Sequence, residues 1–97
     1  MYGTMARIRV KTGHEDDLMK VNERWSTERK AKVPGVVAGY LYKLDSDSRN
    51  HIMVAVFQDK ASYRANADDP EQDKWFRELR QHLESDPEWN DGEISKM

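Results

Sequence analysis

The pattern of apolar and polar residues opens with a strict alternation over residues 2–11. One face carries the mainly apolar set Tyr2, Thr4, Ala6, Ile8 and Val10. The opposite face carries Met5, Arg7, Arg9 and Lys11. A period of two over this length predicts a β-strand with one apolar face. The Thr12-Gly13 pair then interrupts the alternation and is predicted to end the strand.

The next segment has the periodicity of an amphipathic helix from about Glu15 to Ala31. Its apolar stripe consists of Leu18, Val21 and Trp25, at spacings of three and four residues. Acidic residues occupy its first turn and basic residues its last, which complements the helix dipole. The helix is predicted to end at Val33-Pro34-Gly35, because a proline disfavours the helical conformation of the residue before it.

Two apolar strands are predicted next, at Val36–Leu44 and His51–Phe57, joined by the polar turn Asp45–Asn50. The short connection makes them antiparallel. Both faces of each strand are apolar, so both faces of this part of the sheet are expected to be covered.

Two helices are predicted in the second half of the chain. Asp59 is suited to cap a short helix through about Asn66. Asp69-Pro70 starts a second helix, with Gln72 placed to reach back to the cap. This helix is predicted to continue to about Glu84, with a stripe of Trp75, Phe76, Leu79 and Leu83. Asp86-Pro87 ends it, and Gly92–Ile94 is predicted to be a short last strand.

The order β-α-β-β-α-β is that of a ferredoxin-like α+β fold, a single domain over residues 1–97 with its helices on one face of an antiparallel sheet. The helices cover only one of the two faces of the sheet. The other apolar face is therefore expected to pack against a second copy of the chain, in a two-fold homodimer.

Composition excludes several functional classes. The chain has 16 basic and 18 acidic residues, a net charge of −2, and the two signs are interleaved, which argues against nucleic acid or an anionic membrane as partner. The absence of cysteine excludes disulfides, thiolate nucleophiles and cysteine zinc sites. No segment is apolar enough for a signal peptide or a membrane span, so a cytoplasmic location is expected.

Individual motifs give little sign of catalysis or metal binding. His14 is interpreted as a solvated helix-start residue, His51 as the opening residue of a strand, and His82 as a structural residue or part of a pocket rim. They share no metal-ligand spacing, and no metal site is predicted. The Asp45–Asn50 turn is not a calcium loop, because position five is Arg49 and position twelve is Val56. There is no glycine-rich phosphate loop and no G-x-S-x-G motif.

The aromatic residues are candidates for a ligand pocket. The set comprises Trp25, Tyr40, Tyr42, Phe57, Tyr63, Trp75 and Phe76. One interpretation is ordinary core packing. The other is a cavity for a planar aromatic molecule, with Tyr63, Asn66, Arg77 and His82 on its rim.

Several segments resemble the antibiotic biosynthesis monooxygenase family, a group of dimeric α+β barrels. They are R-V-K-T-G before the first helix, V-P-G-V at its end, V-A-V-F-Q-D-K-A-S-Y-R-A-N-A-D-D-P, and the closing P-E-W-N-D-G-E-I. The resemblance covers nearly the whole chain and implies the ferredoxin-like fold and the homodimer predicted above.

Within that family, one branch oxidises polycyclic phenols to quinones with O₂ and no cofactor. Its pocket uses an Asn and a Trp on the third strand, a Tyr on the following helix and an Arg on the last helix. The resemblance places the Tyr at Tyr63 and the Arg at Arg77, whereas Met53 and Phe57 occupy the Asn and Trp positions. A second, haem-degrading branch is not matched, because Ala6, Asn66 and Lys74–Trp75 stand near its Asn, Trp and His positions.

The resemblance implies a cofactor-independent monooxygenase that acts on a small aromatic or hydroquinone-type substrate. Tyr63 and Arg77 would orient or ionise the substrate, and His82 would accept its proton. Trp25, Met53, Phe57, Asn66 and Trp75 would line the binding site. The alternative is a non-catalytic barrel that binds a hydrophobic metabolite or serves as an accessory subunit. An isomerase on the same fold is a third possibility.

Overall fold

The computed structural model describes residues 1–97 and contains one four-stranded sheet with its helices on one side. Its elements are β1 (Tyr2–Arg9), α1 (Glu15–Arg24), β2 (Val36–Lys43), β3 (Asn50–Phe57), α2 (Lys60–Ala67), α3 (Pro70–Arg80) and β4 (Asp91–Glu93). The strand order is β2-β3-β1-β4, and every neighbouring pair is antiparallel. This arrangement confirms the predicted ferredoxin-like α+β fold.

The core lies between β1 and helices α1 and α3. Its buried apolar members are Ile8, Val10, Leu18, Val21, Leu79 and Leu83. These are residues that the strand alternation and the two helical stripes predicted to face inward. Each buried aliphatic side chain contributes roughly 1.5–3 kcal/mol relative to exposure, so this cluster holds the helix layer against the sheet.

The first helix changes its winding where it reaches the sheet edge. It was predicted to be continuous to Ala31, but α1 ends at Arg24 and continues as a π-helical turn, Trp25–Arg29, and a 3₁₀ turn, Lys30–Lys32. Short π-helical segments occur frequently at functional sites. Trp25 is the first residue of the widened turn.

The caps of α2 and α3 follow the sequence signals closely. The Asp59 carboxylate accepts the Ser62 backbone N–H at 2.8 Å, and Asp69 accepts the Glu71 N–H at 2.9 Å. The predicted reach-back of Gln72 was wrong, because its Oε1 accepts the indole N–H of Trp25 at 3.3 Å instead.

Helix α3 ends earlier than predicted, at Arg80 rather than near Glu84. Leu83 instead forms an isolated β-bridge with Val10, and Glu84 N–H donates to the Arg9 carbonyl at 2.9 Å. Residues 83 and 84 therefore pair with the end of β1 in an extended conformation, and they cannot also continue the helix.

The sheet face away from the helices has no cover within the chain. We call it the open face; the strand register assigns to it Met5, Ala38, Tyr40, Tyr42, Ile52, Val54 and Val56. Tyr40 is 63% exposed, and Tyr42 and Met5 are exposed by about half. None of the helices is long and apolar enough to cross a membrane.

Candidate functional site

A cavity of about 520 Å³ opens between the helices and the covered face of the sheet. Its lining comes from every helical segment and all four strands. The volume falls within the range of roughly 300–1,000 Å³ that is usual for small-molecule sites. The cavity is therefore large enough for a molecule of two or three fused rings.

Seven aromatic residues are among those that line the cavity. Trp25 and Trp75 have ring centroids 6.3 Å apart, and Phe76 lies 5.8 Å from Trp89. The Trp75 indole N–H donates to the Val21 carbonyl at 3.1 Å, and the Trp25 indole N–H donates to Oε1 of Gln72 at 3.3 Å. Because these polar groups are already engaged, the indole rings are fixed and can offer their apolar surfaces to a ligand.

The ring of Trp25 lies close to the backbone of β2 at Gly39. A Cβ built on Gly39 would lie 3.5 Å from Cζ3 of Trp25, and no side chain separates the indole from β2. Trp25, at the start of the widened helical turn, thus lies against β2 as part of the cavity wall.

The polar end of the cavity is built on Tyr63. Its hydroxyl donates to Oδ1 of Asp91 at 2.7 Å, which connects α2 to β4. Burial, together with the hydrogen bond to the Asp91 carboxylate, raises the pKa of Tyr63 to about 12, although the nearby Thr4 hydroxyl opposes the rise. Tyr63 is consequently a neutral phenol at physiological pH and acts as a hydrogen-bond donor.

Thr4 adds a second polar group beside this pair. It lines the cavity and is only 5% exposed, and its Oγ1 lies near the Tyr63 hydroxyl without forming a hydrogen bond of regular geometry. The β1–β4 register places it directly opposite Asp91. A ligand oxygen in the cavity could therefore give this buried hydroxyl a regular hydrogen bond, which typically contributes about 0.5–1.5 kcal/mol.

Six of the predicted site residues lie around this cavity. They are Trp25, Met53, Phe57, Tyr63, Asn66 and Trp75. The Asn66 side-chain oxygen accepts from Arg29 at 3.4 Å, and Arg29 also pairs with Asp69 at 3.5 Å. The cationic side chains that line the cavity are those of Lys30 and Arg64.

The other two predicted residues do not line it. Arg77 is 78% exposed in its side chain and pairs with Asp73 one helical turn away, at 2.9 Å. His82 follows the end of α3 and contacts His14 instead, with 3.0 Å between their Nδ1 atoms. The predicted rim was wrong for both, because α3 presents Arg77 to solvent and ends before His82.

The cavity lining also includes residues that the sequence did not indicate as part of the site, among them Thr4, Gln72, Trp89 and Asp91. The alternation of β1 did place Thr4 on the apolar face, and the last strand was predicted near Asp91. The sequence does not show that the last strand pairs with the start of β1, and this pairing is what brings Thr4 and Asp91 together.

The fold can now be compared with solved structures. The chain matches no protein-family model and no curated protein sequence. It superposes on SnoaB, a cofactor-independent oxygenase from Streptomyces nogalater, with a TM-score of 0.84 and 21% identity over 99% of this chain and 94% of that one. The chain has the fold of the antibiotic biosynthesis monooxygenases.

Two further structures show the same likeness. A conserved protein from Methanosarcina mazei Go1 has a TM-score of 0.86 and 17% identity, over 97% of this chain and 92% of its own. A candidate antibiotic biosynthesis monooxygenase from Caulobacter crescentus CB15 has a TM-score of 0.86 and 12% identity, over 98% and 90%. At these identities the likeness concerns the fold.

Proposed function

We propose that this protein is a cofactor-independent monooxygenase for a small aromatic, hydroquinone-type substrate. The observation that supports this function is the aromatic cavity with a polar end formed by Thr4, Tyr63 and Asp91. The oxygenase SnoaB, which has the same fold, adds support.

In this proposal the rings of Trp25 and Trp75 hold the substrate, and its hydroxyl or carbonyl oxygen reaches Thr4 Oγ1. The Asp91 carboxylate accepts the proton that activates the substrate, and Tyr63 is a positioning residue that orients this carboxylate. The Thr4 hydroxyl donates to the oxygen on which negative charge develops.

The deprotonated substrate supplies the electrons that reduce O₂. In an anthrone-like member of this substrate class, a ring methylene group becomes a carbonyl group, and one atom of O₂ enters the product. The other leaves as water with the two hydrogens of the methylene group. Oxygen, hydrogen and electrons then balance without a further reductant.

The test is O₂ uptake with a panel of anthrone-like and naphthalene hydroquinone substrates, corrected for autoxidation without protein. We expect uptake above that background, and a large loss of it in Tyr63→Phe. Tyr42→Phe is the matched control on the open face. Arg77→Ala is expected to keep full activity, because Arg77 lies outside the cavity. No uptake with any member of the panel would contradict oxygenase activity on this substrate class.

A non-catalytic binding function is the second candidate. Its support is that Met53 and Phe57 stand where the oxygenase branch of the resembling family has Asn and Trp, so the cavity wall on β3 is apolar. Under this alternative the same aromatic molecules bind in the cavity, are recovered unchanged, and consume no O₂.

We also propose that two copies of the chain pack their open faces together as a homodimer. The half-exposed tyrosines and apolar residues of that face support this arrangement, because association would bury them. Light scattering after size-exclusion chromatography should give twice the chain mass of 11.4 kDa. Tyr42→Lys should shift the mass towards the monomer, and a wild-type monomer at micromolar concentration would contradict the proposal.

A further inference from the structure

A second cluster of chemically active side chains lies outside the cavity. Nδ1 of His14 is 3.0 Å from Nδ1 of His82 and 3.6 Å from Oδ2 of Asp17. Nδ1 of His82 lies 3.9 Å from the same carboxylate oxygen. Three donor atoms of the types that bind transition metals thus point towards one another.

These distances match the edges of a metal coordination tetrahedron. Zinc binds imidazole nitrogen at about 2.0–2.1 Å and carboxylate oxygen at about 2.0–2.2 Å. In a tetrahedral site, two such ligands are therefore separated by about 3.3–3.5 Å. The three observed separations, 3.0, 3.6 and 3.9 Å, lie on both sides of that value. Small side-chain rotations would bring all three atoms into place.

The backbone holds these residues in place. The Lys11 N–H donates to the His82 carbonyl at 2.9 Å, and the His14 N–H donates to the Lys11 carbonyl at 3.0 Å. The loop before α1 and the turn after α3 are thereby joined. Because these backbone hydrogen bonds hold the two segments together, a metal would require only side-chain adjustment at His14 and His82.

The surroundings leave room for water to complete the coordination. The side chain of His82 is 20% exposed, that of His14 38%, and that of Asp17 45%. Three protein ligands leave the fourth tetrahedral position to water, which is the arrangement of open zinc sites. None of the three residues lines the aromatic cavity.

We propose that His14, Asp17 and His82 bind one Zn²⁺ ion per chain and that the ion stabilises the helix layer. It joins the N-terminal end of α1 to the turn after α3, and both helices contribute core residues that support the cavity. The sequence predicted no metal site because His14 and His82 are 68 positions apart.

Calorimetric titration of the untagged full chain with Zn²⁺ tests this proposal. We expect one ion per chain and a melting temperature that rises with Zn²⁺ concentration, since binding to the folded state stabilises it. His14→Ala and His82→Ala should each weaken the affinity at least about tenfold. Asp17→Asn should weaken it as well, whereas Asp16→Asn, with the same charge change next to it, should bind as wild type does.

The histidine NMR signals provide a second readout that does not depend on a mutation. Zn²⁺ should shift the imidazole resonances of His14 and His82 and leave those of His51, which is buried on β3, in place. Saturable binding that persists equally in His14→Ala would overturn the proposal, as would the absence of binding at millimolar Zn²⁺. Either result would leave the oxygenase proposal intact, because O₂ uptake is measured at a different site.

Discussion

Tyr63 donates its phenolic hydrogen to Asp91 at 2.7 Å, and this bond connects the helix after β3 to the last strand of the sheet. The donor is a phenol whose pKa is raised to about 12 by burial and by that carboxylate, so it stays protonated at physiological pH. The proton acceptor of the pair is therefore Asp91. Under the proposed function, the candidate base is therefore a residue 28 positions along the chain from the predicted tyrosine.

Replacement of the carboxylate should separate catalysis from binding. Asp91→Asn keeps an oxygen that can accept from Tyr63 but cannot take up a substrate proton. We expect O₂ uptake to fall by about 10²–10⁴-fold, the usual contribution of a general base. Asp45→Asn, in the exposed β2–β3 turn, is the matched control and should keep full activity. Undiminished uptake in Asp91→Asn would rule out its role as the base.

Removal of the Thr4 hydroxyl should affect stability and ligand binding in opposite ways. Thr4→Val removes a buried hydroxyl that forms no hydrogen bond of regular geometry, so the free energy of unfolding should stay equal or rise. Affinity for a hydroxylated aromatic ligand should fall by about 1 kcal/mol, or roughly fivefold. Thr27→Val is the control, since its hydroxyl bonds the Glu23 carbonyl outside the cavity. Denaturant unfolding and a fluorescence titration measure the two quantities, and a marked loss of stability in Thr4→Val would contradict the account.

His51 should make the protein less stable in mild acid. Burial lowers its pKa from 6.5, so the unfolded chain binds a proton there more readily than the folded chain does. The free energy of unfolding is therefore unaffected by His51 above pH 6.5. It decreases as the pH falls from 6.5 towards the folded-state pKa of His51. Urea unfolding between pH 7.5 and about 5 should show this decrease.

The same histidine can be followed directly. An NMR titration should give His51 a pKa below 6.5, and His51→Gln should weaken the pH dependence of unfolding. A measured value above 6.5 would contradict its assignment as a buried neutral imidazole.

Two glycines with the same backbone conformation permit a matched comparison. Gly13 and Gly35 both have φ of 83°, but a Cβ on Gly13 meets nothing within 4 Å, whereas one on Gly35 would lie 2.4 Å from Ser62 Oγ. Gly13→Ala should cost about 1–2 kcal/mol for the left-handed conformation alone. Gly35→Ala should cost more, because Ser62 is held by the Asp59 cap. Equal losses in the free energy of unfolding would show that α2, which carries Ser62, moves away without cost.

The sequence was most informative where one local rule decides the structure. The alternation of residues 2–11 gave the buried face of β1, and Asp59 and Asp69 gave the starts of α2 and α3. The apolar residues on both faces of the second and third strands predicted that both faces of the sheet are apolar there. In each case the determining interactions lie within a few residues of one another.

The site was less predictable, because its polar groups come from distant segments. Thr4 and Asp91 meet only through the β1–β4 pairing, and His14 and His82 only through the packing of α1 and α3. Arg77 was expected on the rim because of the family resemblance, and His82 because the helix was predicted to continue to Glu84. Helix α3 ends before that point because Leu83 pairs with Val10, and nothing in the local sequence predicts this tertiary contact.

The most direct test of the central claim is an NMR titration with a water-soluble naphthol, which distinguishes the cavity from the rest of the surface. The indole N–H signals of Trp25 and Trp75 should shift, because both rings line the cavity. The backbone signals of Met5 and Tyr42 on the open face should stay in place, and Thr4→Val should weaken the response. Shifts confined to the open face, with both indole signals unchanged, would show that the aromatic cavity is not the binding site.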